Sequence, residues 1–355
     1  MRLLLACALV VIAVVVLSVS SSAGGKKASA VRAELAGVGK LAWGKGQDFT
    51  FIGTYTVLAN YLGDRVTYDY LMGASGMAFR VQKWAKGWCS SAACAGPGHS
   101  AVEPLLSALG YKTKFYGWFE GKPVAEAMEA MREPIVASID AGRPVQYLNM
   151  DDGLVIGYAD NGKKLLCRTY FDGDKPYTET KDWPWCISVL EARDKPMDRK
   201  QAVKESLKIA LKQSDEETAG DYISGQKAYS EWISGLLDEA KFAKDEYVME
   251  VATANGFSYA ILCDCRASAT RYLESIQDEL GPQSKPHILR AGEFYRQASD
   301  KLEAGRKYAP MAFEIRNGKG WTRFMRKCEA GVLKEVAALD KSAVEELRQA
   351  AKSAE

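Results

Sequence analysis

The sequence predicts an α+β domain followed by an all-helical bundle, and three observations carry that expectation. Helical spacing opens the first half, short β-rich segments joined by turn signals close it, and after Asp194-Lys195-Pro196 the pattern turns helical. At roughly 150 residues per domain, the 355-residue chain is long enough for two cores. The expected organisation is an export segment at 1–23, a linker at 24–43, an α+β domain at 44–195 and a helical domain at 196–355.

The first element is the apolar run Leu3–Val19 behind Arg2, with Ser21 and Ala23 at the −3 and −1 positions of a cleavage after Ala23. This pattern predicts a secretory signal peptide, which places the folded part in a secreted or periplasmic setting. An uncleaved membrane anchor is the alternative, although 17 apolar residues fall short of the roughly 20 that span a bilayer.

Phe49–Gly63 has Ile52, Tyr55 and Leu58 at helical spacing and ends on a glycine suited to a helix C-terminus. Further helices are expected over Tyr68–Gly76 and from His99 or Ser100 to Leu109. Strands are expected at 113–119, 134–139, 144–150, 153–160, 163–170 and 185–191. Asp160-Asn161-Gly162, between two of these, is a hairpin turn signal. The second half reads as helices at 197–214, 218–238, 245–280, 287–307 and 320–352, with Tyr222, Tyr229, Trp232 and Leu236 as a buried stripe.

Forty-seven Lys and Arg against 45 Asp and Glu give a net charge of +2, without the basic excess of a nucleic-acid binder. Only His99 and His287 are histidines, which excludes a histidine-rich metal site and leaves few general bases for neutral pH. Gly39–Lys45 imitates a phosphate loop, but Gly46 stands where a magnesium-binding Ser or Thr belongs. Cys263-Asp264-Cys265 lies within a helical stretch, where the two thiols diverge. No metal and no cofactor is expected.

In an exported chain, cysteines are expected to bridge. Cys89 and Cys94 are close along the chain, and Cys167 and Cys186 lie on strands read as neighbours; at least one of these pairs is expected to bond. For nucleophilic chemistry, Cys89 or Cys94 with His99 is the close thiol–imidazole pair in sequence. Asp151-Asp152 reads as a turn or cleft rim.

TFIGTYTVLANYLG, VTYDYLMGASGMAFRVQ, LLSALGYKTKFYG and GRPVQYLNMDDGLVIGYADNGKKLLCRTY resemble the papain-like domain of butirosin biosynthesis protein H-like proteins, relatives of the bacteriocin-leader (double-glycine) cysteine peptidases. GQKAYSEW (225–232), CRASATRYL (265–273) and AGEFYRQASDKL (291–302) resemble the helical region that follows it; together the likeness spans about 40–305. The resemblance implies a papain-like fold whose nucleophilic cysteine opens the first long helix. Phe49 or Thr50 occupies that place, Asp151 or Asp152 occupies the histidine's place, and Gln47 lies near that of the oxyanion-hole glutamine.

The expected function is therefore an exported, non-catalytic papain-like protein whose cleft binds a peptide, a small molecule or a partner. The expected lining residues are Thr50, Arg80, Asn149, Asp151, Asp152 and Asp160. Alternatives are a hydrolase or acyltransferase using Thr50 or a Cys89/Cys94–His99 site, and a structural cell-envelope protein. No nucleic-acid partner is expected, and membrane contact only through an uncleaved N-terminal segment.

Overall fold

The computed structural model describes residues 31–41, 43–117, 124–149, 151–180, 183–243, 245–315 and 320–354. The expected signal peptide and the linker up to residue 30 lie outside the described residues. Among the described residues, no helix is long and apolar enough to cross a membrane.

The chain runs β1 (Ala33–Glu34), α1 (Thr50–Tyr61), α2 (Tyr68–Ala74), β2 (Gln82–Trp84), α3 (Val102–Leu109), β3 (Tyr111–Gly117), α4 (Val124–Asp140), β4 (Val145–Leu148), β5 (Asp152–Ala159), β6 (Lys164–Arg168), β7 (Thr178–Thr180) and β8 (Cys186–Arg193). It continues with α5 (Arg199–Asp215), β9 (Thr218–Ala219), β10 (Tyr222–Ser224), α6 (Gly225–Leu237), α7 (Asp245–Ser275), α8 (Lys285–Gly305) and α9 (Arg323–Ser353). Its class is α+β. The main sheet is antiparallel, ordered β3-β8-β4-β5-β6-β7, with β1 on β5. Asp160 and Asn161 take φ of 51° and 52° and Gly162 takes 83°, giving the expected turn between β5 and β6.

Three expectations need correction. The segment 134–139 is not a strand but the end of α4, which carries Pro134 internally. Met131, Ile135 and Ile139 are buried at four-residue spacing, a helical stripe that a six-residue apolar run conceals. The span 218–238 is not one helix either. Its first residues form β9 and β10, and β10 pairs with β2 from the first half, Ile223 opposite Lys83. Finally, Cys167 and Cys186 are not neighbours. They lie on β6 and β8, with β4 and β5 between, and three strand steps of roughly 4.8 Å exceed a disulfide's reach of about 7 Å. Cys89 and Cys94 are unbridged too, and all seven described cysteines are free thiols.

The largest core is shared between the halves. Ile52, Tyr55, Leu71 and Met72 are buried with Tyr272, Ile288, Tyr295 and Leu347. α2 lies so close on α7 that a Cβ on Gly73 would stand 2.1 Å from the Tyr272 ring. At the same junction Arg266 is fully buried. Its Nε donates to both Asp340 oxygens at 2.9 and 3.0 Å, and its Nη1 donates to the carbonyls of Ala78 and Arg80 at 3.0 and 3.2 Å. One side chain thus joins α7, α9 and the segment after α2.

Candidate functional site

Thr50 opens α1 and Asp152 opens β5, and the fold brings the two ends together. Thr50 Oγ1 donates to Asp152 Oδ2 at 2.9 Å, and Gln146 Nε2, from β4, donates to Asp152 Oδ1 at 2.8 Å. The Asp152 backbone N–H donates back to Thr50 Oγ1 at 3.4 Å. The start of α1 is held from below by Tyr170, whose hydroxyl donates to the Thr50 carbonyl at 3.0 Å. That hydroxyl occupies the place a Cβ on Gly53 would take, 1.9 Å away. Glycine at 53 is what lets the tyrosine reach the helix.

Burial pushes the Asp152 carboxyl up to about 7, and the charge of Asp151 adds to the rise. The hydrogen bonds from Thr50 and Gln146 pull it down without cancelling the effect. Asp151 is itself raised by burial. Near neutral pH, Asp152 is therefore poised to take or release a proton.

The N-terminus of α1 has an unusual cap. Phe49, its N-cap residue, offers no side-chain acceptor. Instead Asp264, on α7, accepts the backbone N–H groups of Asp48 and Phe49 through Oδ2, both at 3.1 Å, and also accepts from the Tyr68 hydroxyl. Burial raises Asp264 to about 6, against the pull of Tyr68 and the Phe49 amide. A carboxylate from the helical half thus supplies the favourable charge that a helix start attracts. Sequence reasoning passed over Asp264. Its signal was a lone acid inside the otherwise apolar stretch Ala260–Cys265.

The other expected residues divide. Asn149 adjoins the pair, its backbone N–H donating to the Asp151 carbonyl at 3.1 Å. Cys94 lies within range of both acids: burial pushes its thiol up to about 11, Asp152 and Asp151 add to the rise, and Arg80 opposes it. Cys186 is pushed up to about 12 by burial and then by Asp152. Such thiols stay protonated at neutral pH, the reverse of what a thiolate nucleophile needs.

Arg80 is buried and does not line the site. Its Nη2 donates to the Cys94 carbonyl at 2.6 Å and its Nη1 to the His99 carbonyl at 3.0 Å, tying down the 94–99 loop. Burial lowers its guanidinium to about 10. His99 is not paired with a thiol. Burial lowers it, and the groups acting on it are Glu216, Lys212 and Arg80. Cys89 Sγ meets Ser91 Oγ at 2.8 Å instead. Asp160 sits in the turn beyond β5, eight residues from Asp152, about 27 Å along an extended strand. The structure therefore gathers Thr50, Asn149, Asp151 and Asp152, adds Gln146 and Asp264, and leaves Arg80, His99 and Asp160 elsewhere.

Among the described residues, no group of three or more His, Cys, Asp or Glu side chains is arranged to hold a metal ion. No protein-family model matches this chain, and no curated protein matches it.

Proposed function

We propose that the junction of α1 and β5 is the polar end of a papain-like cleft that has given up thiol chemistry and serves, in an exported protein, to bind a peptide or small molecule. The observation that carries this reading is the Thr50–Asp152–Gln146 hydrogen-bonded chain, which joins the two positions that the sequence resemblance aligns with a cysteine and a histidine. A hydroxyl, a carboxyl of near-neutral affinity for protons and an amide are groups that orient a ligand's amide or amine. The second reading is an acyl-transferring hydrolase with Thr50 as nucleophile. It is favoured by one observation: the base that accepts the Thr50 proton is itself held by a third group and raised to about 7, the proton affinity suited to general-base work at neutral pH.

Incubation of the purified protein with a peptide library, followed by mass spectrometry, separates the two. The binding reading expects peptides retained intact, with retention weakened at least tenfold in Asp152→Ala. Cleavage that vanishes in Thr50→Ala installs the hydrolase. Neither retention nor cleavage overturns both.

A further inference from the structure

On the opposite side of α7 from the main core, a groove of about 560 Å³ opens between α7, the segment after α8 and the start of α9. Its volume lies in the range of roughly 300–1,000 Å³ common for small-molecule sites. About half of its wall is apolar, supplied by Tyr259, Pro310, Met311, Phe313, Ile315 and Met325, two of them thioethers. Phe313 is 83% exposed, so one large ring of the lining stands in water. The back wall is tightly built. A Cβ on Gly256 would stand 3.0 Å from the Pro310 carbonyl oxygen and 3.1 Å from Met311, so the 310–311 backbone is seated directly on α7.

Three charged side chains line this groove: Arg306, Lys307 and Glu314. Glu314 is the acidic lining residue, and its carboxylate is turned onto its own chain, accepting the Met311 N–H at 2.6 Å. Arg306 is shared with Glu303 at 2.9 Å. The Lys307 ammonium lies over the Tyr308 ring, 5.1 Å from its centre, and among the described residues it makes no ion pair.

We propose that this groove binds a single-chain amphiphile with an anionic head, of the fatty-carboxylate class. The apolar body lies against Tyr259, Phe313 and Met325, and the carboxylate is received by Lys307 and Arg306. Apolar area and flexible methionines accommodate a chain without reading its sequence of groups, while Lys307, the lining cation not shared with a carboxylate among the described residues, meets its charge. No residue of the α1–β5 site lines the groove, so failure here leaves the reading of that site standing.

Calorimetric titration with monomeric dodecanoate tests this, with dodecanol and dodecyltrimethylammonium as neutral and cationic matches. Saturable binding of one dodecanoate per chain is expected. Phe313→Ser weakens dodecanoate and dodecanol at least tenfold each. Lys307→Glu weakens dodecanoate at least tenfold and leaves dodecanol within twofold. Phe115→Ser, an exposed ring on β3, changes neither. Circular dichroism melting confirms that each variant is folded, and Lys307→Met replaces Lys307→Glu if the latter is not. Absence of saturable dodecanoate binding, equal binding of the cationic match, or binding untouched by both groove variants overturns the proposal. So does sedimentation with phosphatidylglycerol vesicles without uptake of monomeric dodecanoate, which would instead mark a membrane-facing patch.

Discussion

The chemistry of Asp152 is strongly altered by its surroundings, and the causes of that alteration are separable. The Thr50 hydroxyl stabilises the carboxylate, whereas the Asp151 charge destabilises it. Thr50→Ala is therefore expected to raise the Asp152 pKa further above about 7, and Asp151→Asn to lower it. Carboxyl-carbon NMR titration reads both shifts; movement in the same direction for the two variants would contradict this account. Glu329, on α9, is a second buried acid. Among the described residues neither of its oxygens is met by a well-formed hydrogen bond, and burial pushes it up to about 8, the nearby Asn255 and Trp321 side chains and the Arg326 charge opposing the rise only in part. Its pKa in the folded protein is above the ordinary value of 4.5, so the folded protein holds a proton that the unfolded chain releases first. Its contribution to stability is full below about pH 4.5 and is lost as the pH rises towards 8. Asp152 and Asp264 act with the same sign. Melting temperature is expected to fall between pH 5 and pH 8, with a shallower fall in Glu329→Gln; parallel slopes would refute the role of Glu329.

At the scale of elements, the start of α1 depends on a helix more than two hundred residues further along the chain. Asp264→Ala strips the acceptor from the half-buried Asp48 amide, leaves the Phe49 amide only the Tyr68 hydroxyl, and is expected to cost about 1–3 kcal/mol, since a charged acceptor is lost at the helix start. Denaturant melts measure that cost. The loss should also appear as faster hydrogen exchange at 48–50 than at the far end of α1. This dependence also explains what the sequence made legible. The extent of α1, its glycine-terminated end and the 160–162 turn follow from local spacing and backbone preference, and they were readable. The Thr50–Asp152 pairing was readable only as two positions implied by a resemblance, because a contact across 102 residues leaves no local trace. Asp264 was not readable as a cap, for nothing near Cys263 or Cys265 records which helix start it will meet. The strand reading at 134–139 failed for a different reason: Pro134 and the β-branched residues outweighed a helical stripe whose other members lie upstream.

For the whole molecule, the boundary near residue 195 divides the secondary structure more sharply than it divides the packing. Tyr272 and Tyr295 are buried in the same core as Ile52 and Met72, and β10 completes a sheet with β2. Equilibrium unfolding is therefore expected as one cooperative transition, and a 44–195 fragment is expected to remain unfolded or to expose apolar surface to dye. Two well-separated transitions, or a fragment with native-like amide dispersion, would contradict this. Arg266→Met removes one partner of a fully buried ion pair and is expected to destabilise by about 3–5 kcal/mol. The double variant Arg266→Met/Asp340→Leu should recover much of that loss, as thermal melts would record.

The Arg266–Asp340 pair also sets a timetable. Asp340 follows Arg266 by 74 residues, so at ribosomal rates of about 5–20 residues per second the arginine waits roughly 4–15 s for its counter-charge. Throughout that interval, docking α7 against the segment after α2 would strand a cation in an apolar interior. Closure of the core around Arg266 is therefore tied to α9, the helix that carries the counter-charge, and the docking of α9 acts as the latch of that junction.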